Sequence, residues 1–64
     1  MTRPGPNMRE RFLDIPSVAA IFAVSEKTVR RWIGARELPA VRLGNQLRID
    51  PRDLDDFIRE RRIS

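Results

Sequence analysis

A mainly α domain with one small β-hairpin is the fold class that this sequence predicts, and three observations predict it. Apolar residues recur at helical spacing in two short stretches separated by only Ala23 and Val24. The apolar period then shortens from 3.6 to 2 around Gly44 and Asn45, and it returns to helical spacing after Asp50 and Pro51. Length sets the frame. A chain of 64 residues is one small domain, and a domain of that size buries only about 60% of its unfolded surface, so an enclosed substrate cavity would compete with the core.

Residues 1–11 are expected to form a flexible N-terminal arm, because Pro4, Gly5 and Pro6 cannot propagate a helix and residues 1–8 hold almost nothing to bury. The domain proper is expected over 12–62, with 63–64 as a tail. Phe12 and Leu13 suit a short extended lead-in. Asp14 is a good N-cap, Pro16 falls in the first turn where its missing N–H is harmless, and Ile15, Val18, Ala19 and Phe22 recur at i, i+3, i+4 and i+7. This spacing predicts a helix over about 15–22.

Ser25 is again a strong N-cap, so a second helix must begin almost at once. Its apolar seam is Val29, Trp32, Ile33 and the stem of Arg36. A wheel centred on that seam puts Lys27, Arg30, Arg31 and Gly34 on the opposite side. Two short helices joined by a tight turn make a helix-turn-helix unit.

The hairpin follows after Leu38 and Pro39. If Val41 and Leu43 are to share a buried face with Leu47 and Ile49, then Leu43 lies opposite Leu47 across a three-residue loop, Gly44, Asn45 and Gln46. That register sets Arg42 against Arg48 on the outer face, an unfavourable pairing that an anion would relieve. Asp50 then caps a last helix with Pro51 at its first position, Asp53 in its first turn and Leu54, Phe57 and Ile58 as its seam.

Composition removes several kinds of chemistry. The chain has no cysteine and no histidine, hence no disulfides, no thiolate, no usual general base and no usual zinc ligand. The N-terminal stretch lacks the apolar region of a signal peptide, and no run is long enough to span a bilayer, so a soluble cytoplasmic protein without membrane contact is expected. Charge is uneven. Residues 1–24 carry three basic and two acidic side chains (+1), residues 25–48 six and two (+4), and residues 49–64 four and five (−1). The net +4 thus sits in the middle third, which favours a polyanionic partner over mere solubility.

The bland reading of Lys27, Arg30 and Arg31 is a solvated helix face. Against it stand the two-residue turn before the helix, the absence of an acid four positions beyond Arg30 or Arg31, and the arginines of the hairpin. Arg and Lys can donate to guanine O6 and N7, so direct base reading is the sharper alternative. Glu26 suits a helix N-terminus. Ser25 and Thr28 read first as caps, although hydroxyls at a helix N-terminus also meet phosphate. Trp32, on the seam, reads as core rather than as a stacking platform. Asp50, Asp53, Asp55 and Asp56 read as capping and i+4 pairing, with Asp55 facing Arg59, rather than as a metal site. Arg59, Arg61 and Arg62 suit the negative end of the last helix.

The string LDIPSVAAIFAVSEKTVRRWIGARELPAVRLGNQLRIDPRDLDDFI, 46 of the 64 residues, resembles the small winged helix-turn-helix domain shared by the excisionase family and the DNA-binding half of the MerR superfamily. VSEKTVRRWI, ELPAVRLG and RIDPRDLDDFI carry the resemblance by their order and spacing. It implies a recognition helix beginning at Ser25 in the major groove and a wing over residues 40–49 along the backbone or in the adjacent minor groove. Glu26, Lys27, Arg30 and Arg31 would read bases; Ser25, Thr28, Arg42, Asn45, Gln46 and Arg48 would meet phosphate. Ala23 stands where the family usually has glycine, at a turn position that often needs positive φ, a strain of up to about 1 kcal/mol. Leu47 replaces a common aromatic, and the wing tip lacks the arginine often found there.

The function implied is sequence-specific binding of double-stranded DNA without catalysis, cofactor or small-molecule effector. The resemblance favours an excisionase, or recombination directionality factor, of bacterial or phage origin. It would bind adjacent sites next to copies of itself and assist an integrase in excising a phage or mobile element. A small transcriptional regulator is the nearest alternative. From another class, a basic protein-interaction adaptor would use the same face on an acidic partner, and it predicts little dependence of DNA affinity on salt.

Overall fold

The computed structural model describes residues 11–63. Helix α1 (Ile15–Phe22) is followed by α2 (Glu26–Gly34), strands β1 (Val41–Leu43) and β2 (Gln46–Arg48), and α3 (Pro51–Glu60). All three helices begin as expected. Asp14 accepts a hydrogen bond from the Ser17 N–H at 2.9 Å, Ser25 from the Thr28 N–H at 3.1 Å, and Asp50 from the Arg52 N–H at 2.9 Å.

The turn between α1 and α2 is made by Ala23 in the left-handed region, at φ 57°. Its N–H reaches Ala20 O at 3.2 Å and the Val24 N–H reaches Ala19 O at 3.0 Å, the paired bonds of a Schellman stop. The same device closes α2 at Arg36, φ 62°, with Arg36 N–H on Ile33 O and Glu37 N–H on Trp32 O. Arg36 therefore lies beyond the helix and exposed, and its stem is no part of the seam. In its place the reversed chain delivers Leu38, whose side chain is fully buried.

Val18, Val29, Leu38 and Ile49 are the innermost side chains, with Ile15, Ala19, Leu54 and Phe57 around them. Trp32 packs against this core as its seam position predicts. Its ring centroid lies 4.9 Å from Phe57 and 5.6 Å from Phe22, so one aromatic contact joins all three helices. Ile58, placed on the α3 seam by spacing, is instead 39% exposed, because Leu54 and Phe57 alone meet the core.

The hairpin departs from the expected register. Leu43 pairs with Gln46, Arg42 with Leu47 and Val41 with Arg48, across the two-residue loop Gly44–Asn45. Gly44 has φ +65° whereas Asn45 does not take positive φ, the pattern of a type II′ turn. The twist of that turn matches the twist of paired strands, and this local preference prevails over a shared apolar face. Residues opposite one another point to the same side, so Ala40, Leu47 and Ile49 face the core, whereas Val41, 39% exposed, and Leu43 turn away from it. Arg42 and Arg48 are neither cross-strand partners nor on one face, since Arg42 shares the side of Leu47 and Arg48 that of Val41, and no anion is needed to reconcile them.

A bridge ties the hairpin to the lead-in. Leu13 N–H donates to Ile49 O and Ile49 N–H to Leu13 O, both at 2.8 Å. Of the extended lead-in expected at Phe12 and Leu13, Leu13 makes a one-residue strand contact, whereas Phe12 lies in a bend. The arm of residues 1–11 and the end of the 63–64 tail lie outside or at the margin of the described residues.

Ala23 carries a Cβ where glycine would sit without strain. Ala23→Gly is expected to raise stability by about 0.5–1 kcal/mol, net of the extra unfolded-state entropy of glycine. Ala20→Gly, on the exposed face inside α1, is expected to cost about 1 kcal/mol. Paired thermal melts check the contrast, and a lower melting temperature for Ala23→Gly would contradict it.

Candidate nucleic-acid interface

Lys27, Arg30 and Arg31 are exposed on α2, on the side opposite Val29. The helix is held by its buried seam, so its cationic side is turned outward by packing rather than by charge. Glu26 is four residues before Arg30 and lies 4.0 Å from its guanidinium. The absence of an acid further along the helix therefore did not leave Arg30 unpaired, since the partner stands one turn earlier. Among the described residues no carboxylate comes within 4.0 Å of Lys27, Arg31 or Arg42. The Ser25 and Thr28 hydroxyls lie 3.0 Å apart and are engaged in the cap.

Because Ile49 is anchored, β2 runs past the start of α1, and a concavity of about 440 Å³ opens between α1, α2 and the hairpin. Asp14, Arg30, Arg42, Asn45, Gln46 and Arg48 line it. Five of these are site residues expected from the sequence. Ser25, Glu26, Lys27, Thr28 and Arg31 lie outside the concavity, along α2. The sixth, Asp14, was legible only as a cap, since nothing in its sequence neighbourhood says that the hairpin folds back to it.

Arg48 is fixed. It donates to Leu47 O at 2.9 Å and to the Gln46 side-chain oxygen, so its guanidinium plane is set by its own strand. Arg42, one strand over, is exposed and uncommitted. Ser17 holds the Asp14 carboxyl below the ordinary aspartate value, and the Arg48 charge adds to this. Asp50 is lowered too, chiefly by its pairing with Arg52 at 3.0 Å.

Outside the concavity, Arg61 donates to Glu37 at 2.9 Å and lies 3.7 Å over the Phe57 ring. This clasp links the end of α3 to the exit from α2, and it engages one of the C-terminal arginines internally. Arg59 pairs with Asp55 at 2.9 Å, as its i+4 spacing predicts. No helix among the described residues is long and apolar enough to cross a membrane.

The order of elements, the left-handed turn between α1 and α2 and the cationic outer face of α2 can be set against known proteins. A family model described as a helix-turn-helix domain matches residues 12–62. The chain belongs to that family, in its excisionase type. With β1 and β2 as the wing, it is a small winged helix-turn-helix DNA-binding domain. Two Mycobacterium tuberculosis proteins, each named "Putative DNA-binding protein" (Rv0500A in strain H37Rv, MT0521 in strain CDC 1551), are 35% identical to it over 54 residues, 84% of this chain and 69% of theirs. The transcriptional repressor DcmR of Methylorubrum extorquens is 38% identical over 45 residues, 70% of this chain but 17% of that protein. No solved structure matches.

In this helix-turn-helix domain the cap at Asp14 and the cap at Asp50 both bind fewer protons folded than unfolded, because both carboxyls lie below the ordinary value of 3.8. Their contribution is present above that value and is lost as pH falls through the depressed values. The melting temperature is expected to stay level between about pH 5 and 8 and to drop below about pH 4. Asp14→Asn, which caps about equally well, is expected to reduce that drop in a circular-dichroism pH series. A drop of undiminished size would count against the assignment.

Proposed function

We propose that the chain recognises duplex DNA by sequence, with α2 in the major groove and the wing on the backbone, and that it acts as a binding protein without catalysis of its own. The observation that carries this reading is the meeting of Arg30, Arg42 and Arg48 in one open concavity beside the exposed Lys27 and Arg31. Arg42 and Arg48, with Asn45, Gln46 and the α2 N-terminus at Ser25 and Thr28, supply phosphate contact and orientation. Lys27 and Arg31, with Arg30 and Glu26, supply base preference.

The two sets are separable by measurement. Lys27→Ala or Arg31→Ala is expected to cost about 1–3 kcal/mol on a selected duplex and much less on a random one. Arg42→Ala is expected to weaken both alike and to reduce the slope of log K against log salt by about 1. Equal losses on both duplexes from every variant would overturn this division of labour. A flat salt dependence for the wild-type chain would favour an adaptor that binds an acidic protein.

Two biological roles fit such a module. The excisionase-type family favours control of recombination, in which neighbouring copies bind adjacent sites and an integrase is the partner. The similarity to a transcriptional repressor favours control of a promoter. Genome-wide footprinting in the native host decides between them: an array of repeated sites beside a recombination attachment site supports excision, and a single palindrome over a promoter supports regulation.

A further inference from the structure

Of the groups lining the concavity between α1, α2 and the wing, one has the wrong charge for a phosphate. Asp14 stands there with Arg30, Arg42 and Arg48. Its capping bond to the Ser17 N–H, at 2.9 Å, explains the oxygen. The charge suits the positive end of α1, and Arg48 acts on it, but neither gives it an ion-pair partner. Ser25 caps α2 through a neutral hydroxyl in the same geometry, at 3.1 Å, and a neutral cap would serve α1 as well. The carboxylate of the third cap, Asp50, is consumed by Arg52 at 3.0 Å. Asp14, by contrast, has no cationic nitrogen within 4.0 Å among the described residues. Its charge is left facing the groove, half-buried and ionised at neutral pH.

We infer that Asp14 is a specificity-determining residue: its carboxylate repels phosphate from the corner between α1 and the wing and so weakens binding in registers that carry the DNA backbone there. This rests on DNA binding through the groove proposed above. In the matched register the backbone follows Arg42 and Arg48 and bypasses Asp14. On unmatched DNA the duplex samples many registers, and those that bring a phosphate toward Asp14 are penalised. Discrimination gains from a repulsive element set against wrong arrangements as well as from attraction to the right one.

The test compares wild type with Asp14→Asn on two duplexes, one selected by the wild-type chain from a random-sequence pool and one of scrambled sequence, in a salt titration. Asp14→Asn is expected to bind the scrambled duplex about threefold more tightly, the size of one unit charge several ångströms from a phosphate in a water-like dielectric. The salt slope on that duplex is expected to steepen by up to about 0.9. Affinity for the selected duplex is expected to stay nearly constant, so that the ratio between the two falls about threefold. Asp14→Ser, with the hydroxyl cap that α2 already uses, is expected to behave alike and covers a folding defect peculiar to asparagine. Equal tightening on both duplexes, or none on the scrambled one, would overturn the inference and leave DNA binding standing. A wild-type chain with no salt-dependent affinity for either duplex would overturn both.

Discussion

The seating of Ile49 is the contact on which the rest of the arrangement depends. Its side chain is fully buried, and both of its backbone polar groups are paired with Leu13 at 2.8 Å. A hairpin with strands of three residues is not stable in water by itself. Ile49 makes this one part of the domain by joining it to the core through the side chain and to the lead-in through the backbone. The consequence reaches two places at once. Leu13 immediately precedes the α1 cap and Ile49 immediately precedes the α3 cap, so one bridge fixes where two helices start. It also brings Arg42 and Arg48 to the side of the molecule where α2 presents Arg30.

Charge is distributed in keeping with that geometry. The excess positive charge of the middle third faces outward from α2 and the wing, where nothing in the core constrains it. The acidic last third forms a helix whose charges are largely answered internally. Asp50 meets Arg52, Asp55 meets Arg59, and Arg61 is drawn between Glu37 and the Phe57 ring. These are exposed pairs, each worth little in stability. Their effect is to keep Arg52, Arg59 and Arg61 beside carboxylates, whereas Lys27, Arg31 and Arg42 have none within 4.0 Å among the described residues.

Most of the fold was legible because it is locally encoded. Asp14, Ser25 and Asp50 are caps with short side chains, Pro16 and Pro51 suit first turns, and the apolar spacing of each helix needs no distant partner. What was not legible depends on competition between local and distant terms. The hairpin register turned on whether Gly44–Asn45 would satisfy its own turn geometry or yield to a common apolar face, and burial of Val41 and Leu43 was the weaker demand. Periodicity places Arg36 on the α2 seam, but the chain leaves the helix before reaching it. Asp14 belongs to the groove only because Ile49 carries the wing back to Leu13, a contact across 36 residues that no spacing rule contains.

The corrected register changes what the wing asks of a ligand. With Arg42 opposite Arg48, the like-charge pair would have been unfavourable until an anion relieved it. With Arg48 opposite Val41 and bonded to Leu47 and Gln46, the guanidinium is in place before any ligand arrives. A fixed cation loses less side-chain freedom on binding than a mobile one, so its contact is retained more fully in the affinity. Lys27 and Arg31 are long, exposed and uncommitted, and they give up that freedom only where a base edge rewards it. Orientation from a preformed wing and selectivity from adaptable helix side chains are thus two consequences of one structural difference, namely which cations the folded chain has already immobilised.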